Sequence, residues 1–165
     1  GVIYNRLILW LIDTEGKCKL QFDDAKGYYF MAEVINSIDY EEFYETGTFT
    51  VIFSASPFRS SNTYQGNYLL WDDFNFLEDV LQKTDFVIEF GTEDIVIVNK
   101  GKRITPIIKV HKGSVRITRD SYTTPSLGVG EHKDFNLFLK KGENSLRIQA
   151  SGKSRVEFLF RKETI

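Results

Sequence analysis

Short runs in which apolar and polar residues alternate, cut by polar glycine turns, fill the second half of this chain and leave it few folds. Phe86, Ile88 and Phe90 alternate, as do Ile95 and Ile97. Ile108 and Val110 lead through Lys112-Gly113 to Val115 and Ile117. Phe135, Leu137 and Leu139 precede a turn over Lys140 to Asn144, followed by Leu146 and Ile148, and Val156, Phe158 and Phe160 form the last run. A period of two puts one set of side chains on one face of a strand. Runs this short, at near-regular spacing, predict an antiparallel sandwich over residues 86–165, with Tyr122 to His132 as its long loop.

The first half mixes elements. Leu7, Trp10 and Leu11 share a helical face, with Asn5 as cap and Gly16 as stop, which predicts a short helix. Leu20 and Phe22, a turn over Asp23 to Gly27, and the alternation of Tyr28, Phe30, Ala32 and Val34 predict a hairpin. Phe49, Val51 and Phe53 predict another strand, ended by Pro57. Ser54 to Gly66 turns to small polar residues and is expected to be a boundary loop. Leu70, Phe74, Leu77 and Leu81 follow helical spacing, with Asp72 and Asp73 first and Lys83 last, as the helix dipole favours. The expected division is therefore residues 1–60, a connecting segment 61–85 with a short helix, and the sandwich.

Composition narrows the function classes. Aromatic residues make up 15% of the 165 residues, with 14 Phe and 8 Tyr, which favours pleated surfaces and adhesive interfaces. A net charge of −2 without a basic block argues against sequence-specific nucleic-acid binding. Cys18 is the one cysteine, so no internal disulfide forms, and with His111 and His132 it leaves little for a zinc site. The apolar start, Val2 to Ile12, is too short for a membrane span and lacks the marks of a signal peptide. A first residue of Gly rather than Met suggests a fragment or processed product.

Nothing among the reactive residues forms a catalytic constellation. Asp23-Asp24, Glu41-Glu42, Asp72-Asp73, Glu78-Asp79 and Glu93-Asp94 sit among turn residues, where adjacent acids point apart into water; a glycosidase needs two that face each other across a cleft. Asp72, Asp73 and Asn75 crowd hard oxygens without the spacing of a calcium loop. His111 and His132 read as surface or interface histidines, and Cys18 as an inert, half-buried thiol. No catalytic residue, cofactor or metal is expected. Tyr64, Tyr68 and Trp71, with Phe74 and Phe76, are the candidate contacts for a partner or ligand, read first as packing between the halves.

An ordered series of motifs resembles the distal tail protein family of long-tailed bacteriophages. Its carriers are Trp10-Leu11, Leu20 to Asp24, Gly27-Tyr28-Tyr29, the acidic Asp39 to Phe43, Gly47-Thr48-Phe49 and Pro57-Phe58. In the second half they are Asn99-Lys100-Gly101 before Pro106-Ile107, the turn Gly142-Glu143-Asn144, and Phe158 to Arg161. The resemblance implies a mainly β protein: a galectin-like antiparallel β-sandwich behind a partial α+β ring domain of the tail-tube type, lacking the start of that domain. It implies a non-enzymatic virion structural component of a phage or prophage tail tip or baseplate. Such a protein self-assembles, as a hexameric ring in the family, and docks the tail tube, the tail-associated hub and the receptor-binding protein. Its implied location is the virion tail, and the host cytoplasm during assembly. The alternative is a carbohydrate-binding module for host surface polysaccharide, marked by an open groove with an exposed Trp or Tyr beside polar donors.

Overall fold

The computed structural model describes residues 6, 9–11, 15–36, 40–66 and 79–165, with the backbone alone at 40–42. The chain is mainly β with antiparallel sheets. It divides into two compact units, Gly1–Arg59 with Ile165, and Ser60–Thr164.

In the first unit, residues 9–11 are helical. β1 (Cys18–Leu20) pairs antiparallel with β2 (Tyr28–Val34), in register from Cys18 opposite Ala32 to Leu20 opposite Phe30. Ala25 N–H donates to Phe22 O and Tyr28 N–H to Ala25 O, closing the acidic turn of the expected hairpin. A helix not expected from the sequence, α1 (Tyr40–Thr46), follows. Gly47, at φ 72°, ends it as a left-handed cap, its N–H donating to Phe43 O at 2.8 Å. The strand expected from Phe49 shortens to β3 (Phe53–Ala55), which pairs with β2. Asn36 explains the loss: its side chain donates to Thr50 O and accepts from Ile52 N–H, both at 2.8 Å, replacing ladder bonds.

The second unit holds most of the strands. After β4 (Arg59–Ser61), which starts at the boundary, come β5 (Asp85–Ile88), β6 (Gly91–Asn99), β7 (Ile107–Lys112), β8 (Val115–Arg119) and β9 (Tyr122–Thr123). β10 (Gly130–His132), β11 (Gly142–Ala150), β12 (Ser154–Leu159) and β13 (Glu163–Thr164) complete it. Two four-stranded sheets form, ordered β10-β7-β12-β5 and β6-β11-β8-β9. Their inward rows, Ile108, Val110, Val156 and Phe158 from one and Ile95, Ile97, Ile117 and Ile148 from the other, belong to one core cluster. Period-two alternation on both sheets is what lets a single apolar layer fill the space between them.

Several expectations meet a different local structure. Phe135 to Leu139 is not a strand: Leu137 N–H donates to Asp134 O, and Asn136 N–H to the Asp134 carboxylate. That turn buries Leu137 and Leu139 while leaving Phe135 exposed. Phe90 is also exposed, because β5 ends at Ile88. Ser54 to Gly66 is more ordered than a loop: Ser61 N–H donates to Lys162 O and Gln65 N–H to Phe160 O, so residues 61–65 lie along the end of the chain. Most of the helix expected from Leu70 to Leu81 falls outside the described residues, and residues 79–84 carry irregular backbone.

The motifs Asn99-x-Gly101 and Gly142-Glu-Asn144 have a plain structural purpose. Asn99 and Asn144 sit on inward rows at one end of the paired β6 and β11, where Asn99 opposes Gly142. Asn99 accepts from Gly101 N–H and donates to Lys102 O and Leu139 O. Asn144 accepts from Lys140 N–H and donates to the carbonyls of Ile97, Lys140 and Gly142. Loop backbone that leaves the sheet here therefore keeps its polar groups satisfied. At Gly101 a Cβ would stand 2.5 Å from the backbone oxygen of Glu163, so only glycine fits.

Candidate interaction surfaces

The first unit carries its apolar residues outside. Among its described residues only Tyr29 and Ala32 are buried hydrophobics, whereas Leu9, Trp10, Phe22, Met31, Ile35, Ile52 and Phe53 are exposed. Trp10 keeps 72% of its surface open. Leu9, Trp10, Leu20, Val34 and Phe53 help line an open cavity of about 430 Å³, with Lys19 and Glu33 at its polar margin. Among the described residues β1 pairs only with β2, so its other edge presents unpaired backbone groups. Among the described residues, so little buried apolar surface beside so much that is exposed has the makings of a contact surface.

The second unit offers a polar face. Cross-strand register aligns Asp94, Arg147, Thr118 and Thr123 across β6, β11, β8 and β9. Arg147 grips Asp94 through Nε and Nη2 at 2.7 and 3.0 Å, which holds the Asp94 carboxyl below the usual carboxylate range. Thr118 and Thr123 join their hydroxyls at 2.8 Å. An open groove of about 460 Å³ runs here, lined by Asp94, Val96, Thr118, Asp120, Ser145 and Arg147 among others, none of them aromatic.

On the other sheet, Glu131, Lys109, Glu157 and Asp85 stand side by side across four strands. His111 Nε2 lies 2.8 Å from Oε2 of the buried Glu157, and Arg155 Nε lies 3.1 Å from Asp85 Oδ1. Each carboxylate of this close pair thus has its own partner, His111 for Glu157 and Arg155 for Asp85, unlike a catalytic pair that shares one proton. The Arg155 hydrogen bonds, with lesser help from the charge of Arg155, hold the Asp85 carboxyl low despite partial burial. A depressed folded pKa gives stability that is present above the unfolded value, about 3.9, and lost as pH falls through the folded one. Thermal melts of Asp85→Asn and wild type should differ near neutral pH and converge in the acid limb. Curves that keep a constant offset down to about pH 2 would remove the assigned cause.

The residues singled out from sequence do not assemble. Tyr64 is half-buried beneath the Arg161 guanidinium, 4.3 Å from its ring centroid, while Arg161 donates to the carbonyls of Ser61 and Asn62. That stack orders residues 61–65. Tyr68 and Trp71 lie outside the described residues, as do Asp72, Asp73 and Asn75. His132 points Nε2 at Gly128 O, 2.6 Å away, and His111 belongs to the Glu157 pair rather than to open surface. Cys18 is exposed, not half-buried, because it lies on the edge strand β1. Among the described residues no three His, Cys, Asp or Glu side chains gather as a metal site, and no helix is long and apolar enough to cross a membrane.

Sequence reasoning missed the buried charges. Lys162 Nζ meets Asp79 Oδ1 at 2.6 Å with both side chains almost fully enclosed. Only a break in the last strand's alternation, at Arg161-Lys162, hinted at it. Comparison with known proteins brings no match: no family model, no curated protein and no solved structure is similar to this chain.

Proposed function

We propose that this chain is a non-enzymatic structural component of a phage or prophage tail tip, working by self-association and by docking partner tail proteins. In this reading the first unit is a partial ring-type domain of the distal tail family, and the two-sheet unit is its galectin-like sandwich. The observation that carries it is the contrast between the units. One closes an apolar layer between its sheets, and the other leaves Leu9, Trp10, Ile52 and Phe53 exposed, with Leu9, Trp10 and Phe53 lining an open cavity together with β1. Apolar surface grouped in this way is characteristic of permanent assemblies, whose interfaces resemble a divided core.

A polysaccharide-binding module would use the polar groove over Asp94 and Arg147, but stacking on a sugar face needs an aromatic ring, and none lines it. The groove's donors are also committed to one another through the Asp94–Arg147 pair.

Light scattering on the purified chain tests the proposal. The expected result is a discrete, closed oligomer that falls to monomer when Trp10→Asp and Phe53→Asp place charges in the apolar surface. A wild-type chain that stays strictly monomeric at about 100 μM, roughly the weak end of specific association, would overturn it.

A further inference from the structure

The inward row of β8 runs Val115, Ile117, Arg119, so an arginine occupies a position that the alternation reserves for apolar residues. Arg119 is only 8% exposed, and its nearest carboxylate, Asp120 Oδ2, lies 3.7 Å from Nη2. That is within ion-pair range but too long for a hydrogen bond. Its main neighbour is Phe138, whose ring centroid lies 3.9 Å from Arg119 Cζ and 3.4 Å from the Cζ of the exposed Arg103. Two guanidiniums this close cannot share one face of a phenyl ring, so Phe138 is held between them. Among the described residues neither guanidinium makes a hydrogen bond, and the one fully enclosed polar side-chain atom without a partner is Thr84 Oγ1. Arg119 is therefore not sealed off, and an edge of its guanidinium still meets solvent.

We propose that Arg103, Phe138 and Arg119 form a receptor for an extended acidic segment of a partner protein, taking two carboxylates two residues apart. Guanidinium forks are built to receive carboxylates in pairs of hydrogen bonds, and stacking on Phe138 fixes their planes while leaving their edges free. The two cations stand roughly 7 Å apart across the ring, matching same-face side chains at i and i+2 of a strand that rises about 3.3 Å per residue. Arginine beside an aromatic ring is also the composition of energetic centres in protein interfaces. Asp120 acts as an internal competitor. It sits at φ 52° in the β8–β9 turn, is mostly exposed, and approaches Arg119 without engaging its donors. Lys102, another cation in this loop, is already paired with Glu163 at 3.0 Å. One exposed fork beside one that meets solvent only at its edge suits a pair of carboxylates better than the long phosphate stripe of a nucleic acid.

Binding of synthetic peptides to the whole chain, followed by fluorescence anisotropy at low salt, tests this. A peptide with a Glu-Ser-Glu centre should bind at least about threefold more tightly than one with Glu-Glu-Ser, and Arg103→Gln should weaken it about fivefold or more. Asp120→Asn should tighten it several-fold, since asparagine tolerates the left-handed turn and frees Arg119. Glu89→Gln, the same charge change in the β5–β6 turn, should leave it unchanged. Arg119→Gln is read with its melting temperature, and the exposed Arg103 carries the test if that variant unfolds. Equal binding of the two peptides, or no effect of Arg103→Gln, would sink the proposal. Polyphosphate of equal charge binding as tightly as the peptide would overturn the choice of carboxylate.

Discussion

Replacing Lys162 by alanine is expected to strip about 3–5 kcal/mol from the second unit, the cost of leaving a buried carboxylate without its ion partner. Asp79, meeting Lys162 at 2.6 Å with only 6% of its side chain exposed, has little water to fall back on. The damage should spread, because Lys162 N–H also donates to the Ser61 hydroxyl oxygen and its carbonyl accepts from Ser61 N–H. Residues 60–66 and the strand that ends the chain would loosen together. A second variant separates charge from packing: with Asp79→Leu and Lys162→Met together, apolar groups fill the same volume and most of the stability should return. Urea unfolding gives the answer through the midpoint at constant slope. A loss under about 1 kcal/mol for Lys162→Ala would mean that water reaches the pair and that its burial is not real.

Asn144→Ala should rank second, at about 2–4 kcal/mol, since it abandons several buried or partly buried backbone groups at once. Asn144 reaches Ile97 on the neighbouring strand as well as Lys140 and Gly142 in its own turn. Asn144→Asp is the sharper probe. It keeps the acceptor for Lys140 N–H, but a carboxylate has nothing to donate to three carbonyl oxygens, so it should cost at least as much as alanine. If aspartate were tolerated near neutral pH, the side-chain amide would not be what holds the turn. Paired with Asn99→Ala, the variant should also show coupling, because the two asparagines secure adjoining ends of β6 and β11.

What could be read in advance follows from what periodicity reports. Ile95 and Ile97, or Leu146 and Ile148, alternate because one sheet face is dry, and that regularity survives into the structure. Phe135 to Leu139 shows the same spacing, yet Asp134 turns the chain there; burial of alternate residues does not require a ladder. α1 was hidden because seven residues are too few for a period of 3.6 to declare itself. The surfaces were harder still. Glu157, Lys162 and Arg119 carry charges that a sequence reading assigns to water, and only the partners that fold onto them reveal otherwise. Tyr64 drew notice as an aromatic near a boundary, but its ring serves as a bed for Arg161.

The long ladder of β6 and β11 sets a kinetic condition on this chain. Asn99 must find Gly142, and Gly91 must find Ala150, with the whole of β7 to β10 threaded between. Entropy is spent on closing that span before any of the nine matched pairs gives a return. Folding in the millisecond-to-second range is the expected consequence for a topology so rich in distant pairings. During synthesis β6 leaves the ribosome well before its mate exists. Asp94 on its outer face and the exposed Glu93 near its start then act as gatekeepers, keeping a waiting strand from pairing with the wrong neighbour.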